Sequence, residues 1–314
     1  MLSGFRSSVL LTAAMFMGDM AFATEVPGAF KAFSFSAHVG YLGGEANEYV
    51  YRPDGSKLSH LIWDMDGNIA VNGDIEWKAS DRLKLFSSFS AGFDGNNSMK
   101  DYDWEVAPYA DWSDRSIHGN TQLDHYFSID AGANYGLVVR DTWALSAIGG
   151  FKYTDVKWTA YGGDYIYSRD GGFRNEVGSS SNGEKMMSYQ LMLPAFYAGL
   201  GIEHQIDSLM LSLSAVGGLS FSGQDKDNHW ARTPPRTFLE EFGTSPFLGL
   251  RSSATYALSD STSILLAVKY DYFFTMQGST TMVENGVEIA QIGGNAAGAS
   301  LEAVNVSAGI KYDF

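Results

Sequence analysis

Residues 304–314 read Val304-Asn305-Val306-Ser307-Ala308-Gly309-Ile310-Lys311-Tyr312-Asp313-Phe314. Every second residue is apolar or small, and the residues between are polar or glycine. A period of two is the mark of a strand with two unlike faces. The same alternation opens the chain at Phe33, Phe35, Ala37, Val39 and Tyr41. It recurs at Leu83–Phe93, Leu123–Tyr135, Trp143–Tyr153, Leu209–Phe221 and Ile264–Phe274, and less cleanly over 60–78, 187–205 and 246–257. The pattern predicts ten strands.

The connections alternate in length. Short turns fall at 79–81, 139–141, 206–208 and 259–260, and long polar loops near 51–59, 95–120, 162–186, 225–243 and 277–298. Tight turns at one end and large loops at the other predict an all-β, antiparallel transmembrane barrel with short periplasmic turns and long outer loops. Sheets in lipid must close so that no backbone group is left unpaired. The apolar stripe would face lipid, the polar side chains would line a lumen largely filled by them, and Trp63, Trp77, Trp143, Tyr270, Tyr272 and Phe314 would form aromatic girdles. A soluble β-sandwich is the competing fold. The terminal Phe314 favours the barrel, since it is similar to the recognition signal of bacterial outer-membrane barrels.

The first 23 residues support export. Arg6 precedes an apolar run over 9–18, and Ala21-Phe22-Ala23 offers a small-residue cleavage site. That order predicts a signal peptide over 1–23 and one barrel domain over 24–314. The 314 residues include no cysteine, which excludes disulfide staples and Cys-ligated metal sites and suits passage through an oxidising compartment. A formal net charge of −15 argues against nucleic acid as a partner.

Chemistry gathers on the long loops. Glu48 lies at the outer end of the first strand; Asp101, Asp103 and Asp114 lie in the second outer loop; Asp225, Asp227 and His229 lie where the seventh strand enters the fourth. At i and i+2 in an extended chain, Asp101 and Asp103 share a face, as do Asp227 and His229. A carboxylate beside an imidazole orients it as a general base, and two close carboxylates favour a shared proton. Together the two couples can hold and activate one water. Solvated loop charge or a calcium site are the competing readings of the same spacing. A serine nucleophile at Ser116 beside His118 lacks the G-x-S-x-G turn, and metal catalysis lacks an H-E-x-x-H motif.

At these residues the chain resembles the omptin family of outer-membrane proteases. The matching stretches are Glu48-Tyr49-Val50-Tyr51, Asp101-Tyr102-Asp103-Trp104, Asp111-Trp112-Ser113-Asp114, Gly162-Gly163-Asp164-Tyr165-Ile166-Tyr167-Ser168, Gly172-Phe173-Arg174, Asn182-Gly183-Glu184 and Asp225-Lys226-Asp227-Asn228-His229. The resemblance implies a monomeric ten-stranded barrel in the bacterial outer membrane, with its active site in a groove at the outer rim. It implies an endopeptidase that cleaves after basic residues, preferably between two of them, by an Asp-His activated water. Asp227 and His229 would activate the water, and Asp101 and Asp103 would hold it and stabilise the oxyanion. Glu48 and Asp225 would bind the basic residue before the cut, and Asp114 would favour a basic residue after it. The implied partners are cationic peptides and proteins with Arg or Lys sites.

The resemblance also implies a requirement for lipopolysaccharide, with no metal or covalent cofactor. The family's wall motif Y-x-E-x-R falls on Tyr153, Asp155 and Lys157, and a second family arginine falls on Met192. Lysine keeps the charge but loses the planar fork of arginine, so a weakened lipid dependence is expected. Arg232 and Arg236 in the fourth loop are candidate self-cleavage sites. The alternative to a protease is a non-enzymatic barrel of the same scaffold, acting as an adhesin or structural surface protein.

Overall fold

The computed structural model describes residues 32–106 and 110–314, so the expected signal peptide lies outside the described residues. Thirteen strands form one antiparallel sheet: β1 (Phe33–Tyr51), β2 (Lys57–Lys78), β3 (Leu83–Phe93), β4 (Asn97–Asp103), β5 (Asp114–Val139), β6 (Trp143–Tyr167), β7 (Glu176–Ile206), β8 (Leu209–Ser220), β9 (Gln224–His229), β10 (Arg236–Phe242), β11 (Ser245–Ala257), β12 (Thr262–Glu284) and β13 (Val287–Asp313). β1 pairs with both β2 and β13, and β7 pairs with β8, so the sheet closes on itself.

The ring has the ten staves that the alternation predicts. The count of thirteen arises because three staves are each broken once, between β3 and β4, β8 and β9, and β10 and β11. One expectation is corrected. Much of 95–120, 225–243 and 277–298, read from sequence as loop, is strand: β4, the start of β5, β9, β10 and the upper ends of β12 and β13. These segments are polar on the outer side and lack a clean lipid-facing stripe, yet they continue the backbone ladder beyond it.

The breaks do more than interrupt pairing. On β2, Ile69, Val71, Ile75 and Trp77 point outward and are exposed, while Leu61, Trp63 and Met65 point inward and are buried. All seven are odd-numbered. An extra residue at Asp66-Gly67, where the β1–β2 register shifts and Gly67 takes φ +65°, turns the odd face from outside to inside. The same inversion occurs at 94–96, where Phe93 faces out and Met99, Asp101 and Asp103 face in. Gly95 sits there at φ +110°, and a Cβ on it would come within 2.3 Å of Asn68 Oδ1, so no other residue fits without rearrangement.

Two layers follow. In the lower part, exposed apolar side chains such as Phe35, Val39, Phe89, Leu213, Leu266 and Ile310 form an outward belt, and the interior carries ion pairs. Arg251 meets Asp130 at 2.7 Å and Asp271 at 3.6 Å, Lys152 meets Asp271 at 2.8 Å, and Lys269 meets Asp74 at 2.9 Å. In the upper part the pattern reverses. Leu42, Trp63, Met99, Trp158, Tyr189, Leu191, Phe273 and Leu301 are fully buried inside the ring. The expectation that polar side chains line the lumen holds only in the lower part: above the belt the outer surface meets water, so the apolar residues turn inward and make an ordinary core.

Candidate functional site

That inner core is the floor of a cup. Trp63 stacks on Tyr189 with ring centroids 5.5 Å apart and packs against Trp158 at 6.1 Å. The two polar tips of this cluster hold two carboxylates. Trp63 Nε1 donates to Glu48 Oε2 at 3.2 Å, and Tyr189 Oη donates to Asp225 Oδ2 at 2.9 Å. Glu48 on β1 and Asp225 on β9 thus come together, each about 97–98 % buried, with the Asp225 charge felt at Glu48.

The sequence reading missed a third carboxylate. Glu240 on β10 lies directly opposite Asp225 in the β9–β10 ladder and is 3 % exposed. Burial first, then the facing carboxylates, push Glu48 and Glu240 well above the usual range, and burial pushes Asp225 up to about 8. The hairpin has a sequence signal, because 225 and 240 are symmetric about the tip of the polar run 225–243, but polarity alone makes that run a long loop.

The catalytic candidates lie on facing walls of the cup. β4 stands between β2 and β5 and turns Asp101 and Asp103 inward. Ser59 Oγ donates to Asp101 Oδ1 at 3.2 Å. Burial, followed by the neighbouring Asp103 charge, raises Asp101 well above the carboxylate range, and burial raises Asp103 to about 6. On β9, His229 Nε2 lies 2.5 Å from Asp227 Oδ2, and Asp227 is 2 % exposed. Arg232 Nε donates to His229 Nδ1 at 3.1 Å, so Nδ1 carries the lone pair and Nε2 the proton given to Asp227. The Asp227 charge is felt at Asp101, and the Arg232 charge is felt at both Asp101 and Asp103. The two couples therefore share one electrostatic site.

Asp114 is buried at the head of β5, and its charge is already met. It accepts from Ser113 Oγ at 2.6 Å, Ser168 N at 3.1 Å and Arg169 Nη1 at 3.0 Å. His118 Nε2 lies 2.9 Å from Ser116 Oγ, but its Nδ1 is held by the Gly162 carbonyl oxygen rather than by a carboxylate. Tyr153, Asp155 and Lys157 lie on the outer face of β6 at the upper edge of the belt. Asp155 is bound by His125 at 3.0 Å and Gln190 at 2.9 Å, Lys157 pairs with Asp124 at 3.5 Å, and Met192 stands opposite Asp155. Arg236 is tied to Glu284 at 3.0 Å. Among the described residues no His, Cys, Asp and Glu cluster has metal-site geometry.

The carboxylates of the cup have a thermodynamic consequence. Asp225 has a folded pKa of about 8 against 3.8 for the free side chain. A folded value above the unfolded one means the native state holds the extra proton. Its stabilising contribution is complete below about pH 4 and is lost as pH rises through 8. The denaturation midpoint in detergent is expected to fall across that window, and Glu240→Gln, which leaves Asp225 a donor, is expected to flatten the fall. Parallel midpoint curves for the two proteins would contradict this.

A closed antiparallel ring with an outward apolar belt is the form of sheet that lipid admits, so the fold defines an outer-membrane barrel with an acidic cup at one end. The omptin family model matches residues 29–314, and the chain belongs to the omptin family. The plasminogen activator of Yersinia pestis is 27% identical over 286 residues, spanning 90% of each chain. Protease 7 of Escherichia coli K12 is 25% identical over 285 residues and the outer membrane protease IcsP of Shigella flexneri is 27% identical over 284, each spanning 88% of both chains. The crystal structure of the Escherichia coli outer membrane protease OmpT superposes with a TM-score of 0.82 at 23% identity, covering 90% of this chain and 97% of that one. The chain is thus an outer-membrane protein in a family of proteases.

Proposed function

We propose that this chain is an endopeptidase that cleaves after basic residues, preferably between two, by a water activated between His229 and the Asp101–Asp103 pair. The observation that carries the reading is the meeting of two couples in one cup: Asp227 fixes the tautomer of His229, and across from it Asp101 is kept from ionising by burial and by the charge of Asp103. Once the Arg232 guanidinium yields its hydrogen bond at His229 Nδ1 to the water, that nitrogen takes a proton from the water as it attacks the peptide carbonyl. The proton shared by Asp101 and Asp103 hydrogen-bonds the developing oxyanion. The amine leaves with the proton that His229 acquired, and no acyl-enzyme forms.

The pocket of Glu48 and Asp225 supplies the selectivity. An apolar side chain there would leave buried carboxylates without partners, whereas Arg or Lys pairs with them. Asp114 would favour a basic residue after the cut, which would compete with Arg169 for its carboxylate. The long hairpins and cup face the outside of the cell, the short turns face the periplasm, and the protein works as a monomer. Lipopolysaccharide binds the outer patch of Tyr153, Asp155 and Lys157, its phosphate on the Lys157 ammonium and the Tyr153 hydroxyl and a sugar donor on the Asp155 carboxylate. Its hold is weakened because Met192 offers no charge.

The test is cleavage of a fluorogenic Arg-Arg peptide by the refolded protein, with and without lipopolysaccharide, beside the same peptide with Gln-Gln at the cut. Cleavage of the first only, several-fold faster with lipopolysaccharide, is expected. Comparable cleavage of both peptides would refute the basic pocket, no cleavage of either would favour the adhesin reading, and equal rates without lipid would remove the lipid role.

A further inference from the structure

Glu240 has no part in the steps above, although it is among the most buried charges in the molecule. Neither Trp63 nor Tyr189, which satisfy Glu48 and Asp225 on one side, donates to it. Asp225 Oδ1 and Glu240 Oε2 are both buried without a hydrogen-bond donor from any other described group. The two side chains nevertheless lie within hydrogen-bonding reach of each other across the β9–β10 ladder. The buried Thr280 hydroxyl opposite Glu240 can donate to one of its oxygens, but it does not meet the contact with Asp225, and two acceptors in that contact are reconciled by a proton between them. Among the described residues no Lys or Arg forms an ion pair with Glu48, Asp225 or Glu240, although seventeen ion pairs occur elsewhere.

We infer that Glu240 is a further specificity-determining residue of this pocket: with Asp225 it shares one proton before substrate enters, and an incoming guanidinium or ammonium takes the place of that proton, which passes to solvent. The inference rests on the reading of Glu48 and Asp225 as the basic-residue pocket. It adds a reason for strict selection. The pair changes partner from proton to cation without gaining a net buried charge, so a side chain that brings no positive charge cannot displace the proton. The titratable groups facing Glu240 are Asp225 and Asp227 from β9, Glu48 from β1 and Tyr189 from β7, and β12 places the neutral Thr280 opposite it. All four titratable neighbours are acids, so none offers a cation in place of the proton.

Agmatine, an alkyl guanidinium, is the probe. Its binding to the lipopolysaccharide-reconstituted protein is measured by calorimetry at neutral pH in two buffers of different protonation enthalpy, which counts protons released. Wild type is expected to release about one proton more than Glu240→Gln, and its affinity is expected to rise roughly tenfold per pH unit on approach to pH 8, with a shallower rise in the variant. Asp225→Asn, which breaks the pair from the other side, is expected to show the same loss of release and guards against a folding defect in one variant. Equal proton release in all three proteins overturns the inference while leaving the basic pocket in place. Failure of agmatine to bind wild type that still cleaves the Arg-Arg peptide overturns the pocket and the inference together.

Discussion

Replacing His229 with alanine is expected to lower kcat for an Arg-Arg peptide by roughly four orders of magnitude, with KM changed little. The imidazole is placed to act as base through Nδ1, the nitrogen that Arg232 meets in the free cup, while its Nε2 proton is held by Asp227 at 2.5 Å. Removing it leaves the water beside the Asp101–Asp103 pair, in which Asp101 is held protonated by burial and by its partner's charge. It also leaves Asp227, 2 % exposed, with no donor at Oδ2, in addition to the Oδ1 that already lacks one. Binding survives because the basic pocket is built from other residues. Asp227→Asn should approach the same loss, since the amide cannot hold the same tautomer. A fall in kcat of less than tenfold for His229→Ala would mean that another group activates the water.

The largest stability effect is expected far from the chemistry, at Arg251. Its guanidinium meets Asp130 at 2.7 Å and Asp271 at 3.6 Å inside the lower ring, and Asp130 is only 2 % exposed. Asp130 also accepts from Tyr197, and Asp271 keeps Lys152 at 2.8 Å. Arg251→Met removes the one cation paired with Asp130 among the described residues and should cost about 3–5 kcal/mol, the usual scale for stranding a buried charge. Adding Asp130→Leu should recover most of that, because no charge is then left without a partner. Denaturant unfolding of the lipid-reconstituted protein measures both. A single variant within about 1 kcal/mol of wild type would show that lumen water solvates Asp130 well enough alone.

Much of this architecture is readable from alternation. Val304 to Phe314 and Phe33 to Tyr41 show which residues face outward, and the spacing of Asp101 with Asp103 and of Asp227 with His229 places each couple on one face. What alternation hides is the inversion of the faces. On β2 the large apolar residues Leu61, Trp63, Met65, Ile69, Val71, Ile75 and Trp77 are all odd-numbered, and only the extra residue at Asp66-Gly67 decides that Trp63 belongs to a core and Trp77 to the belt. Trp63 was accordingly expected in a lipid girdle, whereas it forms the floor of the cup. Glu240 was hidden for a related reason. Its partner lies across a hairpin, and pairing across a hairpin depends on register, which composition does not carry. The pairing of Asp114 with Arg169 joins residues 55 apart in sequence and has no local signature at all.

The breaks at 94–96, 221–223 and 243–244 divide the labour of the chain as well as its faces. Below them the membrane dictates the residues; above them only the shape of the cup does. A segment such as 97–103 or 224–242 can therefore be exchanged with that of a relative, as a cassette, without resetting the lipid-facing register below it. Surface proteolysis of this kind can acquire new targets by recombination of short rim segments, while the anchor that holds it in the envelope stays the same.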